Sequence, residues 1–432
     1  MKNILKYIVI YLGLIIIFVI TLLISCLFPT NNIHENVNSS SKKLVEEGNR
    51  KIVYIPYRGE EIQFDNYTDA LMLNTAYSIN YKEPLKSALL AKKNYLPEKT
   101  KTIEQDKVGE LKSSSKYQYH NEVGELQDLV NNDVEECFEY ARYWHGYLIF
   151  LRPLMLLFNL STIRIILTVI IFALFVILFY LLEKKTNIII SIIFSLGLFC
   201  VEYFYLGFTL QGISVFFIAM ISSILILLNN EKIKNKQILF FITGMLTNFF
   251  DFLTVPMVTL GMPLIIVLLL NKKELKETFI DMIKIALFWF VGYGLTWFTK
   301  WLLVDIILNR KLVLIALDQI RYRSVGRKYT IIDSIKPNYI YEQSFLYISI
   351  IITVITTYLH SKFGSREEKT NSLKEIIPYF LIGIAPYIWY ATLKNHSAEH
   401  SFFTYRNQLL TIICLNICIY KTLSYFLEKG RE

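Results

Sequence analysis

The chain has 432 residues, of which 54% are hydrophobic, 15% are aromatic and only 19% are charged. Soluble globular domains are usually ~45–50% apolar and ~25% charged, so this composition indicates a protein embedded in lipid. The formal net charge of +9 does not predict nucleic-acid binding. Much of the basic charge lies in short loops between apolar runs, where it sets the orientation of a membrane protein.

The first apolar run extends from about Tyr7 to Phe28 and follows Lys2 and Lys6. Basic residues are retained on the cytoplasmic side, so the amino terminus is predicted to be cytoplasmic. A run of ~20 apolar residues is long enough to cross the hydrocarbon. Nine further spans are predicted, centred near Ile170, Ile193, Met220, Phe241, Ile266, Phe288, Ile351, Ile384 and Cys414.

The predicted fold is an all-α polytopic membrane protein with about ten transmembrane helices and an α-rich extracytoplasmic domain between the first two spans. Alternating sides from the first span places lysines at every short cytoplasmic connection and puts both termini in the cytoplasm. A chain rich in Ile, Asn and Lys suggests a bacterial plasma membrane. The predicted division is 1–28 (first transmembrane helix), 29–145 (extracytoplasmic domain), 146–304 (transmembrane bundle), 305–343 (extracytoplasmic basic loop) and 344–432 (carboxy-terminal transmembrane helices).

The first outer segment contains two candidate catalytic acids, Asp65 and Asp69. Thr68 is predicted to cap a helix that begins at Asp69 and lies at the membrane surface. A carboxylate there is suited to removing a proton from an acceptor hydroxyl. The alternative is that both acids only stabilise the start of the helix.

Arg142, His145 and Arg152 precede the second span, among several aromatic residues. Arginine and histidine suit the phosphates of a lipid-linked donor, and Trp144 and Tyr147 suit stacking on a sugar face. The alternative is anchoring of the chain at the membrane interface, which explains the aromatic residues better than His145 or Arg142.

Asp251 is a third candidate catalytic acid, within an apolar segment that joins two predicted spans almost without a polar turn. An acid surrounded by phenylalanines near the membrane is costly and is therefore a candidate functional residue. The alternative is a structural ion pair with an arginine that holds the helix break at Pro256.

The second outer segment is basic and includes Arg321 and Arg323 on either side of Tyr322. This arrangement predicts a grip on phosphate or on an anionic polymer. Attraction to anionic lipid headgroups is the alternative.

His396, Glu399, His400 and Arg406 crowd the connection between the last two predicted spans. If His396 and His400 share a helix face, they could ligate a metal. The sequence lacks the zinc-protease pattern, so binding of a donor phosphate by His400 and Arg406 is the preferred interpretation and no metal cofactor is predicted.

The blocks that carry these residues are Asp65–Asn74, Arg142–Leu154, Phe249–Pro263 and Asn395–Arg406. Taken with the large first outer segment and the many spans, the chain resembles the GT-C superfamily of integral membrane glycosyltransferases. It is also similar to a group of bacterial membrane proteins of surface-polysaccharide type. The resemblance implies an acidic catalytic residue and a polyprenyl phosphate or pyrophosphate sugar donor.

The predicted function is transfer of a sugar from a polyprenyl-linked donor to a cell-envelope glycan on the extracytoplasmic side. The predicted partners are membrane lipid, the polyprenyl-linked sugar and the glycan acceptor, with no nucleic acid. Two alternatives stay open, namely a polysaccharide polymerase or ligase and a non-catalytic carrier or assembly protein. Polar residues gathered at one face rather than at mid-span argue against the carrier.

Overall fold

The computed structural model is predominantly helical, which confirms the predicted all-α class, and it adds two small two-stranded sheets. It describes residues 2–55, 60–94, 122–132, 137–233, 235–271, 273–326, 328–340 and 366–429, with scattered positions between 347 and 362.

The amino-terminal half of the chain contains the first helix, the mixed segment of short helices and strands that follows it, and the first helices of the bundle. Its elements are α1 (Lys2–Cys26), a 3-10 turn (Thr30–Ile33), α2 (His34–Glu47), β1 (Arg50–Ile55), β2 (Glu60–Asp65), α3 (Asn66–Tyr77), α4 (Pro84–Leu90), β3 (Lys92–Asn94), α5 (Glu122–Asn131), β4 (Cys137–Glu139), α6 (Leu148–Leu157), α7 (Leu160–Lys185), α8 (Ile188–Cys200) and a 3-10 turn (Tyr203–Phe208).

The rest of the chain is helical wherever it is regular in the described residues. Its elements are α9 (Ile213–Asn229), α10 (Lys236–Phe250), α11 (Met257–Leu270), α12 (Leu275–Leu308), α13 (Leu312–Val325), α14 (Ile331–Ile340), α15 (Arg366–Thr392), α16 (Lys394–Glu399), α17 (Ser401–Thr404), a 3-10 turn (Tyr405–Asn407) and α18 (Gln408–Lys429).

Within the described residues, four helical stretches are long and apolar enough to cross a membrane: Ile4–Cys26, Leu160–Lys185, Leu275–Leu308 and Ser401–Leu423. The predicted centres near residues 193, 220, 241 and 266 also lie in helices, but α8 to α11 have only 13 to 17 residues. At 1.5 Å per residue such helices are shorter than a hydrocarbon core of about 30 Å. The predicted centre near Ile351 falls where only scattered positions are described.

Helix α3 begins three residues earlier than the sequence predicts. Asp65 is its N-cap and accepts hydrogen bonds from the Thr68 backbone N–H (3.1 Å) and from the Thr68 hydroxyl (2.5 Å), so the prediction that Thr68 is the cap was wrong. The helix is buried on both its apolar and its polar sides, including Asn66 and Asn74. It is therefore part of the packed core that follows the first helix rather than a helix on the membrane surface.

The segment predicted to be a basic outer loop contains α13 and α14, and α12 reaches Leu308 before them. Apolar side chains stay exposed on α13, including Leu314 and Leu317, beside exposed Arg321. A helix that exposes both apolar and basic residues is typical of a membrane interface.

Candidate functional site

Residues 251–256, here called the Asp251 loop, interrupt the bundle between α10 and α11. Asp251 follows the last residue of α10 with an extended backbone, and its carboxylate accepts hydrogen bonds from the Thr254 N–H (3.0 and 3.1 Å) and hydroxyl (2.5 Å). Leu253 has a φ of +66°, a conformation that is rare for a residue with a branched side chain. The loop therefore holds an acid at the end of a helix in a strained, specific turn.

Burial raises the pKa of Asp251 to about 6, against the hydrogen bonds from Thr254 that lower it. Only 4% of the residue is exposed. Among the described residues, no lysine, arginine or histidine nitrogen forms an ion pair with its carboxylate. The alternative that Asp251 forms a structural ion pair is thus not met within the described part of the chain.

Aromatic rings form a wall on one side of the loop. Phe252 is surrounded by the rings of Tyr140, Tyr143, His145 and Tyr147, with centroids 5.2 to 6.3 Å from its own. The sequence analysis missed Tyr140, Tyr143 and Phe252 as site residues. The density of aromatic residues in the chain around residue 140 was the signal that could have identified them.

His145 reaches this wall because the chain turns sharply at Gly146. The Gly146 N–H donates to the Phe249 carbonyl (3.0 Å), and a methyl group on Gly146 would meet that oxygen at 2.5 Å. His145 Nε2 lies 2.7 Å from the Tyr140 carbonyl, and burial lowers the pKa of His145 to about 3. His145 is therefore neutral and can act as a hydrogen-bonding group but not as a cation.

Two arginine side chains contact Tyr140 and Tyr143 of this aromatic wall. Arg323 Nη1 donates to the Tyr143 hydroxyl (2.9 Å), and the Arg142 guanidinium lies over the rings of Tyr140 and Tyr143 at 5.9 and 5.8 Å. Both arginines are half-buried, whereas Arg321 is exposed on α13. Helix α13 thus places a cation near the aromatic rings that surround the Asp251 loop.

The histidines of the last connection meet the same loop. His396 Nε2 lies 2.8 Å from the Leu253 carbonyl, and the rings of His396 and His400 are 4.8 Å apart. Burial lowers the pKa of both, that of His400 to about 4, and the charge of Arg323 lowers both further. They are neutral, so a grip on phosphate through histidine charge is not expected near neutral pH.

Glu399 does not join His396 and His400 in a ligand set. Its carboxylate accepts hydrogen bonds from the Tyr322 hydroxyl and from Lys328 Nζ, both at 2.8 Å. Within the described ranges, no three His, Cys, Asp or Glu side chains are grouped as a metal site would require.

Asp69 occupies a different and closed environment. It is fully buried, and its carboxylate pairs with Arg164 Nη2 (3.0 Å) while accepting from the Thr209 hydroxyl (3.1 Å) and the Leu210 N–H (2.8 Å). Arg164 Nη1 also pairs with Glu47 (2.8 Å). The sequence analysis missed Arg164 and Glu47, because nothing in the local pattern shows that residues so distant along the chain meet.

Arg152 and Arg406 hold parts of the fold together. Arg152 is fully buried and donates to the carbonyl oxygens of Ser25 (2.8 Å), Phe28 and Ala76. These carbonyls lie at or just beyond the carboxyl ends of α1 and α3, where a cation is favoured. Arg406 lies 3.5 Å from the Glu202 carboxylate and donates to the Val201 carbonyl (3.2 Å).

The structure therefore gathers Asp251, Arg142, His145, Arg323 and the two histidines of the last connection, and it places Asp65, Asp69, Arg152 and Arg406 in other contacts. No protein-family model, no curated protein and no solved structure matches the chain. The fold and the site define a helical membrane protein in which a buried acid, Asp251, lies near aromatic rings and two arginines.

Proposed function

We propose that this chain is a membrane glycosyltransferase of GT-C type, which transfers a sugar from a polyprenyl-linked donor to an envelope glycan on the extracytoplasmic side of a bacterial plasma membrane. The observation that carries the proposal is Asp251, a buried carboxylate with a pKa raised to about 6 and no cationic ion-pair partner among the described residues. A general base works best when its pKa lies near the working pH.

In the proposed reaction, Asp251 removes the proton from an acceptor hydroxyl, whose oxygen attacks the anomeric carbon of the donor sugar. The new glycosidic bond forms as the bond from that carbon to the lipid phosphate oxygen breaks. The electron pair leaves with the polyprenyl phosphate, and the half-buried guanidinium groups of Arg142 and Arg323 are the groups suited to stabilising its charge.

The neutral rings around the loop suit a sugar better than they suit a phosphate. Phe252 and Tyr140 are half-buried, so part of each ring is open to a ligand. Sugar faces stack on such rings, and neutral His145 and His400 can exchange hydrogen bonds with hydroxyl groups without adding charge.

The proposal includes a topology of about ten crossings with both termini in the cytoplasm. Three lysine-bearing connections support it. They hold Lys184, Lys232 and Lys273, at the ends of α7 to α12 remote from the Asp251 loop. The exposed apolar and basic face of α13 supports an interfacial position from which a polyprenyl chain could reach Arg323.

The test is an analysis of lipid-linked sugars and surface glycans in cells producing wild-type, Asp251→Asn or Arg323→Gln protein at matched abundance. Asp318→Asn is the matched control, because Asp318 is exposed on the same helix as Arg323. We expect the first two variants to accumulate an unconsumed polyprenyl-linked sugar and to lose a surface sugar, and the control to behave as wild type. Unchanged glycans in Asp251→Asn cells, with the wild-type protein shown to be produced, would remove catalysis from consideration.

A polysaccharide polymerase or ligase is the second candidate, and the exposed cations Arg321 and Lys328 favour it because they suit an anionic chain. The same cells distinguish the two. A polymerase defect shortens surface chains without removing any type of sugar, whereas a transferase defect removes one sugar at all chain lengths.

A further inference from the structure

A cavity of about 160 Å³ lies at the opposite end of α10 from the Asp251 loop. The beginnings of α10 and α12 and the end of α11 meet there. A single buried water needs only about 10–15 Å³, so the cavity has room for a larger group.

The polar side of the cavity carries net positive charge. Lys236, Lys273 and Asp281 are its charged lining residues. Lys273 Nζ pairs with the Asp281 carboxylate at 2.7 Å, whereas Lys236 forms no ion pair with any carboxylate in the described ranges. One ammonium group is thus left to face a ligand of negative charge.

Uncharged polar side chains complete the polar side, although the Thr278 hydroxyl already donates to backbone carbonyls at the start of α12. The side chains of Gln237, Asn271 and Thr278 line the cavity. The beginnings of α10 and α12 add the partial positive charge of two helix amino termini. The opposing carboxyl end of α11 is partly satisfied internally, since the Asn271 amide donates to the Val267 carbonyl at 2.7 Å.

The other side of the cavity is apolar and continues into a surface suited to lipid. Leu264, Val267 and Ile285 are buried in its wall. On α12, which is long and apolar enough to cross a membrane, Ile283 and Leu287 are 67% and 57% exposed. Phosphate-sized space, positive charge and an adjoining apolar surface together match an amphiphile with an anionic head.

We propose that this cavity binds the headgroup phosphate of an acidic phospholipid, with the acyl chains lying along the exposed apolar face of α12. Basic pockets between transmembrane helices are known to hold such headgroups. The proposal does not depend on the glycosyltransferase function, because it concerns the other end of the bundle.

The test is the stabilisation of detergent-solubilised full-length protein by added phosphatidylglycerol, measured as Tm against lipid concentration. Phosphatidylcholine and inorganic phosphate serve as separate probes. We expect a saturable rise of Tm with phosphatidylglycerol alone. Each lysine near an anionic headgroup contributes about fivefold in affinity, so Lys236→Gln with Lys273→Gln should weaken the apparent Kd by at least about fivefold, chiefly through the loss of the unpaired Lys236.

Lys276→Gln is the control of matched charge, because Lys276 is exposed in the first turn of α12 and does not line the cavity. It should bind like the wild type. Leu268→Trp, which fills the apolar side without changing charge, should also weaken binding if the cavity is the site. An equal response to inorganic phosphate, or full binding by the double lysine variant with normal tryptophan fluorescence, would overturn the proposal.

Discussion

Two buried aspartates, Asp69 and Asp251, differ in what surrounds them. The Asp69 carboxylate meets the Arg164 guanidinium and two further donors from another part of the chain. In the part of the chain that the structure describes, the Asp251 carboxylate meets donors from its own turn alone. The first arrangement sets a cation beside the carboxylate and fixes three elements together, whereas the second leaves the carboxylate without a cationic partner among the described residues.

This difference indicates that Asp69 stabilises the fold, whereas Asp251 is suited to catalysis. Buried charges are tolerated when they are paired and hydrogen-bonded, and Asp69 meets both conditions. Burial raises the pKa of both carboxylates, but the Arg164 guanidinium opposes that rise at Asp69, whereas only hydrogen bonds from its own turn oppose it at Asp251. Strongly perturbed acids without a structural partner are candidates for functional sites.

The largest expected effect follows from breaking the paired acid. Arg164→Gln leaves the carboxylates of Asp69 and Glu47 buried without their cation. Removing one partner of a buried pair costs about 3–5 kcal/mol. We expect a steep fall in the Tm of the solubilised protein, while Lys86→Gln, which breaks an exposed pair with Glu83, changes stability by less than about 1 kcal/mol.

Adding Asp69→Asn to Arg164→Gln should restore part of the lost stability, because one uncompensated charge is removed. A double variant as unstable as the sum of the two single variants would show that Arg164 and Asp69 do not act as a pair.

The second prediction separates activity from stability. Asp251→Asn keeps an acceptor for Thr254 but cannot remove a proton, so we expect sugar transfer to fall by about 10²- to 10⁴-fold with little loss of stability. Asp69→Asn should do the reverse, with lower Tm and with transfer per folded molecule retained. Transfer from a radiolabelled lipid-linked sugar in membranes measures both variants, and loss of transfer only with Asp69→Asn would move the base to Asp69.

The third prediction concerns pH. The pKa of Asp251 is about 6 in the folded protein, against an ordinary aspartate value of 3.8, so the folded protein binds a proton there more tightly than the unfolded chain does. This contribution to stability is full below about pH 4 and is lost as the pH rises through about 6. The Tm of the wild type relative to Asp251→Asn should therefore fall across that range and stay level above it.

The rate of sugar transfer by the wild type should rise with pH, whereas its relative Tm falls, because the ionised Asp251 carboxylate is the base. Transfer should rise with pH through about 6 and then reach a plateau. A rate that falls over this interval would assign Asp251 the role of a proton donor instead.

The smallest expected effect belongs to the third acid, Asp65, which caps α3. Asp65→Ala removes the acceptor for the Thr68 N–H and should cost about 1 kcal/mol of stability without changing transfer per folded molecule. Asp65→Asn should retain most of the cap, since asparagine is an equally good N-cap residue. A loss of transfer in Asp65→Asn at unchanged Tm would give Asp65 a role beyond capping.

The sequence by itself determined the helical class, the membrane character and the existence of helices at the predicted centres other than that near Ile351, because composition and apolar run length are local properties. It also identified Asp251 as a candidate catalytic residue, and Arg323 and His400 as candidate substrate-binding residues. The local pattern could not determine that each of the helices α8 to α11 is shorter than the hydrocarbon core of a membrane. The reason is that the apolar sequence continues past the helix ends into turns such as the Asp251 loop.

Only the tertiary structure decided which polar and charged groups contact one another. Arg164 reaches Asp69 across 95 positions of the chain, and His396 reaches Leu253 across 143. The partner of a buried charge depends on packing between distant elements, whereas the sequence shows only that a charge lies in an apolar setting. For this reason Asp69 and Asp251 were both candidates by sequence, and their surroundings in the fold distinguished them.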